Sequence, residues 1–378
     1  MSTAVGAASL GRAVPFFNYP QTFLSEEEEL VEIFRDVGRR GAFILQADVA
    51  RFEENLARFL GARHALGVAN ATDGLMIALR AAGVTEGEVI FASHTMVATA
   101  AAIHFAGATP VAVECGADHL IDATAVAAAV NSRTRAILPT QLNGRTADMD
   151  ALEAIARKHA LVIVEDAAQA LGSRFRGQAA GTFGASAAIS FFPAKVLGCL
   201  GDGGAVICND DGVFERARQL HDHGRDAEGD VVSWGLNSRL DNLQAAILDH
   251  RLAKFDAAIS RRRAIARAYH ARLCGIEALR LPPGPDSDPE HFDVYQNYEI
   301  EADQRDALRE FLKSRGVGTI VQWGGKAVHQ FEGLGLQARL PFTEKLFERM
   351  LLLPMNTALT DDDVAYVCDA IAEFYVGS

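Results

Sequence analysis

The strongest constraint on the fold is an alternation of short apolar runs with helix-patterned segments, which extends from about residue 25 to residue 280. Apolar runs such as Ala136–Gln141 and Leu161–Glu165 have the length of strands, and continuous apolarity is typical of strands covered on both faces. Segments between them, such as Met149–His159, carry apolar residues at helical spacing. Strands separated by helices in this way predict an α/β fold with a mostly parallel sheet covered by helices.

The individual elements follow from the same two periodicities. The predicted helices are Glu26–Arg40, Asp48–Leu60, Thr72–Ala82, Thr95–Ala106, Ala123–Val130, Met149–His159, Asp210–His221 and one long helix from Leu240 to about Leu273. The predicted strands are His64–Ala69, Glu88–Ala92, Thr109–Val113, Ala136–Gln141, Leu161–Glu165 and Gly204–Cys208.

A Pro/Asp-rich segment at 281–291 predicts a surface loop, and strand and helix patterns alternate again beyond it. These later patterns are the strands Val294–Ile300 and Thr319–Gln322 and the helices Arg305–Arg315 and Asp361–Phe374. We therefore expect a large domain over residues 1–250 and a smaller C-terminal α/β domain over residues 251–378.

Composition excludes several classes of protein. The 378 residues include 36 basic and 49 acidic side chains, and the net charge of −13 repels nucleic acid at long range. The five cysteines form no CxxC pair, which argues against a metal site and favours a reducing compartment. The most apolar stretch, Met96–Val113, contains Gly107 and Pro110 and is a poor membrane span. We expect a cytoplasmic protein that binds no metal, nucleic acid or membrane.

Asp166 stands where the apolar strand Leu161–Glu165 ends. The carboxyl edge of a parallel sheet is where open α/β sheets bind ligands. The same aspartate could instead be a helix N-cap, which is the commoner use of this residue type, or a metal ligand. The residue alone leaves these alternatives open.

Lys195 is the one lysine in an apolar, glycine-rich stretch from Ile189 to Gly204. Burial of a charged amine is costly, so such surroundings lower the pKa of a lysine and make it nucleophilic. The side chain could instead extend to solvent. A desolvated lysine and a carboxylate at a sheet edge are the groups that pyridoxal phosphate needs, the first for the Schiff base and the second for the pyridine nitrogen.

A third segment, Val68–Leu75, passes from a strand end into a helix. Free amides and the helix dipole at such a point favour a phosphate group. Asn, Thr and Asp before a helix also serve simply as caps.

Taken in order, five segments resemble a known family: ATDGL (71–75), GEVIFASHTMVATAAAI (87–103), ADMDALEAIARKHALVIVEDAAQALG (147–172), ISFFPAKVLGCLGDGGA (189–205) and GLNSRLDNLQAAIL (235–248). The chain resembles the pyridoxal-phosphate-dependent sugar aminotransferases of the DegT/DnrJ/EryC/StrS type, which have fold type I. The resemblance implies transfer of the amino group of L-glutamate to a keto carbon of a nucleotide-linked deoxysugar. A 4-keto-6-deoxyhexose is the expected acceptor because it is common in the family. The reaction is expected to belong to the biosynthesis of lipopolysaccharide, other cell-surface polysaccharides or glycosides.

The resemblance also assigns roles to individual residues. Lys195 would be the Schiff-base lysine and proton shuttle, Asp166 would pair with the pyridine nitrogen, and Gln169 would contact the phenolic oxygen of the ring. Thr72, Asp73 and Ser190 would bind the phosphate. Asn237 is similar to an asparagine that reaches the phosphate from the neighbouring subunit, with Arg239 close to the same site. An obligate homodimer with shared active sites is therefore implied.

The chain departs from the family in three places, one of them the usual glycine after the first helix, which is Gln46 or Ala47 here. Met96 stands where many relatives have an aromatic residue stacked on the pyridine, and a thioether can also pack on a ring. Residues 321–329 replace the usual tyrosine–proline substrate segment. There, Trp323 could stack on the substrate, Lys326 could face a phosphate, and His329 aligns with a histidine near the sugar nucleotide. Each of these could equally be a surface or packing residue.

Two other classes of function remain as alternatives. Dehydratases of the family hold the cofactor without a lysine Schiff base and have histidine at that position, so Lys195 favours amino transfer. A non-catalytic regulator would be expected to lack the lysine or the acid, and both are present. Among enzymes, an aminotransferase of a keto-cyclitol stays possible because cofactor motifs do not report the acceptor.

Overall fold

The computed structural model describes residues 12–376. Its helices are α1 Tyr19–Leu24, α2 Glu27–Arg40, α3 Ala47–Leu60, α4 Ala71–Ala81, α5 Val97–Ala106, α6 Ala123–Ala129, α7 Met149–His159, α8 Asp211–His221, α9 Asn242–Leu252, α10 Phe255–Leu273, α11 Arg305–Ser314, α12 Pro341–Arg349 and α13 Asp361–Val376. Its strands are β1 His64–Val68, β2 Glu88–Ala92, β3 Thr109–Val113, β4 Thr134–Leu138, β5 Val162–Asp166, β6 Arg174–Phe175, β7 Gln178–Ala179, β8 Ser186–Ser190, β9 Gly204–Cys208, β10 Leu279–Arg280, β11 His291–Phe292, β12 Tyr298–Ala302 and β13 Met350–Leu353.

The central sheet has the strand order β1-β9-β8-β5-β4-β2-β3. Among these strands of the described chain, β9 runs opposite to the rest and pairs antiparallel with β1 and β8. Helices α4, α5 and α8 cover one face, where their apolar side chains join those of the strands. On the other face, α3 and α9 cover the β1–β9–β8 side, and α6 and α7 cover the β5–β4–β2 side. The predicted α/β sheet with helices on both faces is confirmed.

Polar caps define where several of these helices begin. An Asn or Asp side chain accepts a hydrogen bond from a backbone amide of the first turn of α4, α6, α7 and α8, which satisfies a donor that has no partner within the helix. The capping residues are Asn70, Asp122, Asp148 and Asp210.

The C-terminal part forms a second core around the sheet β10-β12-β13. Helices α10, α11 and α13 pack on it. Val14 belongs to this core, because its segment pairs with Val317 through the bond from Val14 N–H to Gly316 O at 2.9 Å. The N-terminal segment therefore packs with the small domain, although the sequence placed it in residues 1–250.

The predicted long helix from Leu240 to Leu273 is two helices, α9 and α10, separated at Ala253 and Lys254. The helical spacing of apolar residues continues across the break, so this periodicity could not predict that the helix ends there. Helix α9 packs in the large core, and α10 begins in that core with Phe255 and ends in the small core. The predicted domain boundary at residue 250 falls within α9.

Shorter differences occur elsewhere. Strand β8 was not predicted, because its sequence SAAIS is rich in alanine and holds one β-branched residue, Ile189. Strand β13 was not anticipated, and it pairs with β12. Residues 319–322, predicted as a strand, form only an isolated bridge from Ile320 to Leu352 before a 3₁₀ turn. No helix in residues 12–376 has both the length and the apolarity needed to cross a bilayer.

Candidate active site

A cavity of about 470 Å³ opens at the carboxyl edge of the central sheet. Its volume is in the range of small-molecule sites, about 300–1,000 Å³. The segments that follow β1, β2, β4 and β5 supply Asn70, Thr95, Thr140 and Ala168, while Asp166 and Ser190 end β5 and β8. The predicted ligand site at this edge is therefore a real concavity into which several strand ends converge.

Asp166 lies in this cavity and is buried. Its Oδ2 accepts a hydrogen bond from Thr99 Oγ1 at 2.7 Å, and its Oδ1 accepts one from the backbone N–H of Ala168 at 3.1 Å. Thr99 is part of a hydroxyl chain that passes through Thr95 to Thr140. Burial raises the pKa of Asp166, and these hydrogen bonds and the charge of Lys195 oppose that rise. A cationic group at the carboxylate would favour its ionised form.

Lys195 lines the same cavity, in the loop that joins β8 to β9. The loop is fixed by backbone bonds from Lys195 N–H to Phe192 O and from Cys199 N–H to Phe191 O, both at 2.8 Å. Burial lowers the pKa of the Lys195 amine, and the negative charge of Asp166 opposes that fall. A lowered pKa increases the unprotonated fraction, which is the nucleophilic form.

The N-terminus of α4 forms another wall, through Ala71 and Thr72. Backbone amides in the first turn of a helix have no partner within it, and the dipole there favours an anion. Gly204 allows this end to approach the sheet closely, because a Cβ at that position would lie 2.7 Å from the carbonyl carbon of Asn70 and 2.8 Å from Ala71 N. The adjacent Gly203 lines the cavity.

The other cavity residues predicted from the sequence are Gln169, Ser190, Met96 and Trp323. Gln169 accepts a hydrogen bond from the backbone N–H of Asn143 at 2.9 Å. Met96 is half exposed at the start of α5, so its thioether is free to cover a bound ring. Trp323 packs edge-on against the buried His94, with ring centroids 5.5 Å apart.

Three predicted residues lie outside the set that lines the cavity. The backbone N–H of Asp73 donates to Asn70 at 2.9 Å, and only its neighbour Thr72 reaches the cavity. Lys326 is exposed. His329 is buried between two other partners, with Nδ1 2.7 Å from Ser93 Oγ and Nε2 3.2 Å from Glu344 Oε1. These contacts suffice to explain the histidine as a packing residue, so its substrate role stays a prediction.

Asn237 and Arg239 also lie away from the cavity. Asn237 is exposed, and Arg239 forms an ion pair with Asp222 at 3.0 Å. Two further residues beside them, Val232 and Trp234, expose 55% and 93% of their surface. Within one chain, neither predicted residue contacts the site.

Sequence reasoning missed several residues of the cavity, notably Phe16, Phe17, Asn297 and Gln322. The two phenylalanines reach the cavity because the N-terminal segment pairs with the small domain. The sequence around them contains no pattern that predicts this long-range contact. Asn297 and Gln322 come from the small domain as well. The polar pair Gln296-Asn297 within an otherwise strand-like stretch is the one signal that the sequence offered.

An amine, a buried carboxylate and a helix N-terminus around one cavity match the reactive parts of pyridoxal phosphate: its aldehyde, its pyridine nitrogen and its phosphate. The close approach of backbone at Gly204 provides the cradle for the phosphate. The residues present therefore fit this cofactor. The fold and the site together define a pyridoxal-phosphate-dependent enzyme of fold type I, as the resemblance predicted.

Comparison with known proteins identifies the family. The chain belongs to the DegT/DnrJ/EryC1/StrS aminotransferase family, whose model matches residues 24–372. It is 39% identical, over 96% of its length and 98% of the relative's, to a pleiotropic regulatory protein of Geobacillus stearothermophilus. It is also 39% identical, over 96% of each chain, to dTDP-3-amino-3,4,6-trideoxy-alpha-D-glucose transaminase of Streptomyces venezuelae.

A solved structure agrees with this assignment. The crystal structure of S. venezuelae DesV in complex with a ketimine intermediate superimposes with a TM-score of 0.92 at 37% identity, covering 96% of this chain and 98% of that one. The predicted family, fold class and aminotransferase chemistry are confirmed.

Proposed function

We propose that this protein transfers the amino group of L-glutamate, through pyridoxal phosphate, to a keto carbon of a nucleotide-linked sugar. The observation that carries this proposal is the joint placement of Lys195 and Asp166 in one cavity at the sheet edge. The transaminase relative of S. venezuelae, which matches nearly the whole chain, is named for a dTDP-linked amino sugar and supports the substrate class.

The name of that relative also bears on the ring carbon. It places the amino group at carbon 3 of the sugar. The sequence-based preference for a 4-keto sugar depended only on how common such substrates are in the family. We therefore propose a 3-keto deoxysugar nucleotide as the acceptor.

Lys195 has two roles in the proposed reaction. Its unprotonated amine would hold the cofactor, and once the amino donor has released it the same amine would accept a proton from the substrate carbon and later give it up again as a general acid. Bound pyridoxal phosphate supplies the electron sink that stabilises the negative charge left behind. Asp166 stabilises the protonated ring nitrogen, and Thr99 holds the carboxylate in place.

The apolar side chains of the cavity exclude water from the reacting groups. They include Phe16, Phe17, Met96, Phe192 and Trp323. Trp323 also offers a flat surface for a sugar or base to stack on. Lys326, which is exposed three residues further along, is proposed to attract the phosphates of the nucleotide.

The active form is proposed to be a homodimer in which Asn237 and Arg239 complete the partner's site. Supporting this, the neighbouring Val231, Val232 and Trp234 are exposed, and large exposed apolar surface marks an interface. All five cysteines are free thiols, which supports a cytoplasmic location. We place the reaction in the biosynthesis of a glycoside or cell-surface polysaccharide such as lipopolysaccharide.

The name of the Geobacillus relative keeps a regulatory role as the second candidate. The retained lysine and aspartate favour an enzyme, since a regulator needs neither. A keto-cyclitol acceptor is the alternative within the enzyme class.

The test is a panel of 3-keto and 4-keto deoxysugar nucleotides with L-glutamate as donor. Formation of the amino sugar, measured by mass spectrometry, should accompany an equal amount of 2-oxoglutarate, with the 3-keto sugars preferred. Preference for 4-keto sugars would overturn the ring-carbon proposal. Failure with every sugar, together with amination of a keto-cyclitol, would overturn the substrate class.

A further inference from the structure

A row of amide side chains leads from the cavity into the interior of the protein. It begins at Gln169, whose Oε1 accepts from the backbone N–H of Asn143 at 2.9 Å and lies 3.4 Å from Asn297 Nδ2. Asn297 Nδ2 also donates to Asn143 Oδ1 at 2.8 Å. Gln322 Nε2 donates to the same Asn143 Oδ1 at 3.0 Å. Four amides are thus connected through shared atoms.

The row ends at a buried carboxylate, Glu299, whose Oε2 accepts the second hydrogen bond of Gln322 Nε2 at 3.0 Å. Two histidines flank this carboxylate. His119 Nδ1 is 2.7 Å from Oε1, and His94 Nε2 is 3.4 Å from Oε2. Burial alone would raise the pKa of Glu299, but the two histidines outweigh it and hold that pKa far below its usual range. Glu299 is therefore ionised.

Because an ionised carboxylate only accepts hydrogen bonds, it fixes the orientation of every amide in the row. Gln322 must present its NH₂ group to Glu299 and to Asn143. Asn143 must then present its oxygen, and Asn297 must present its NH₂ group to that oxygen. The second hydrogen of Asn297 is thereby directed to the oxygen of Gln169.

The other end of the row gives the same answer independently. A backbone N–H only donates, so Asn143 also requires the oxygen of Gln169 to face it. The Gln169 Nε2 group has no hydrogen-bond partner among residues 12–376, and its side chain lines the cavity. The amide hydrogens of Gln169 are therefore available to a ligand there.

We propose that Asn297 and Gln322 are positioning residues that keep the Nε2 hydrogens of Gln169 directed at the phenolic oxygen of the cofactor. This proposal rests on the proposed function. A donor at that oxygen stabilises its negative charge and so lowers the proton affinity of the adjacent Schiff-base nitrogen. Reversal of the Gln169 amide would place an oxygen there and raise that proton affinity.

The test is a pH titration of the visible absorption band of the loaded protein. Gln169→Leu removes the donor and should raise the midpoint by about one pH unit, as expected for loss of a hydrogen bond to a charged group. The uncharged variants Asn297→Leu and Gln322→Met should move the midpoint in the same direction by a smaller amount, because the backbone N–H of Asn143 still holds the oxygen of Gln169 in both. In a Gln169→Leu background, adding Asn297→Leu should produce no further shift, because its effect passes through Gln169.

Two results would overturn the proposal: an unchanged midpoint in a folded, loaded Asn297→Leu protein, or a shift that persists in the Gln169→Leu background. If Asn297→Leu does not fold, Gln322→Met, which keeps the side-chain length, decides the matter by the same two criteria. Failure of the proposed function is a separate observation. In that case the wild-type band would ignore L-glutamate while its pH midpoint still responded to these substitutions.

Discussion

Lys195 and Asp166 each favour the neutral form when buried, since burial lowers the pKa of the amine and raises the pKa of the carboxyl group. The negative charge of Asp166 opposes the fall in the pKa of Lys195, and the positive charge of Lys195 opposes the rise in the pKa of Asp166. A cationic ring nitrogen beside Asp166 would balance the negative charge of the buried carboxylate. The amine of Lys195 would then not be needed as its partner and would be free to react. The two residues therefore form one electrostatic unit with the cofactor.

Thr99 is expected to tune Asp166, because its hydroxyl donates to Oδ2 at 2.7 Å. Thr99→Val keeps the shape and removes the donor, so the pKa of Asp166 should rise further. We expect kcat to fall about tenfold, equivalent to the loss of one hydrogen bond to a charged group. Thr99→Ser keeps the hydroxyl and should retain most of the activity. Full activity in Thr99→Val together with a loss in Thr99→Ser would show that the methyl group, not the hydrogen bond, matters.

The cluster of His94, His119 and Glu299 predicts a pH-dependent stability. Burial alone would lower the pKa of each histidine, but the glutamates beside them dominate and raise those values to about 10 for His94 and about 9 for His119. Groups with a raised folded-state pKa contribute their full stability below the unfolded value near 6.5 and lose it as the pH rises through 9 to 10. The unfolding free energy from urea titrations should therefore fall across this range.

The matched control is Glu299→Gln, which removes the charge that both histidines need. It should lower the unfolding free energy at neutral pH by about 3 kcal/mol and flatten the alkaline decline. A wild-type stability that stays level up to a pH of about 10 would contradict the ionised cluster.

Asp166 and Lys195 could be found from the sequence because each stands out locally: a carboxylate at the end of an apolar run, and a lysine in an apolar, glycine-rich stretch. Asn297 and Gln322 could not, because their role depends on the small domain folding back over the sheet edge. His329 shows the opposite case. The resemblance predicts a substrate contact, and the ring nitrogens of His329 already lie near Ser93 and Glu344, so that role stays a prediction.

At the scale of elements, the contact of α4 with the start of β9 determines the shape of the phosphate cradle. Gly204→Ala would drive a Cβ into the backbone of Asn70 and Ala71. We expect a loss of about 1–3 kcal/mol in unfolding free energy, as for other overpacked sites, together with weaker binding of pyridoxal phosphate. Thermal unfolding and cofactor titration measure the two effects.

The control for that substitution is Gly38→Ala in α2, where a new Cβ would meet no atom within 4 Å. There the higher helix propensity of alanine should leave the stability unchanged or raise it by up to about 1 kcal/mol. Similar destabilisation by both substitutions would show that the close approach at Gly204 has no special role.

The element scale is also where sequence patterns succeed and fail most clearly. Strands β2, β3 and β9 were predicted with the bounds found, because short apolar runs between turn residues identify buried strands. The division of α9 from α10 was missed, since the apolar spacing continues across Ala253 and Lys254 and the residues on both sides, Leu252 and Phe255, pack in the same core.

At the scale of the whole molecule, the proposed dimer predicts complementation between defective subunits. Lys195→Ala disables a subunit's own site, and Asn237→Leu would disable its partner's. A mixed dimer has one site with both defects and one intact site. Mixing equal amounts should therefore restore about a quarter of the wild-type activity, given random reassociation of subunits. No recovery, with mixed dimers shown to form, would contradict a shared site.

The central claim is that Lys195 binds pyridoxal phosphate and that an amino donor displaces it. The direct measurement is the absorption spectrum of the purified, cofactor-loaded protein before and after addition of L-glutamate. Wild type and Lys313→Ala, which changes a surface lysine with 76% of its side chain exposed, should show a visible band that L-glutamate bleaches. Lys195→Ala should show neither the band nor its bleaching. A wild type without the band, or a Lys195→Ala protein that bleaches like wild type, would contradict the account.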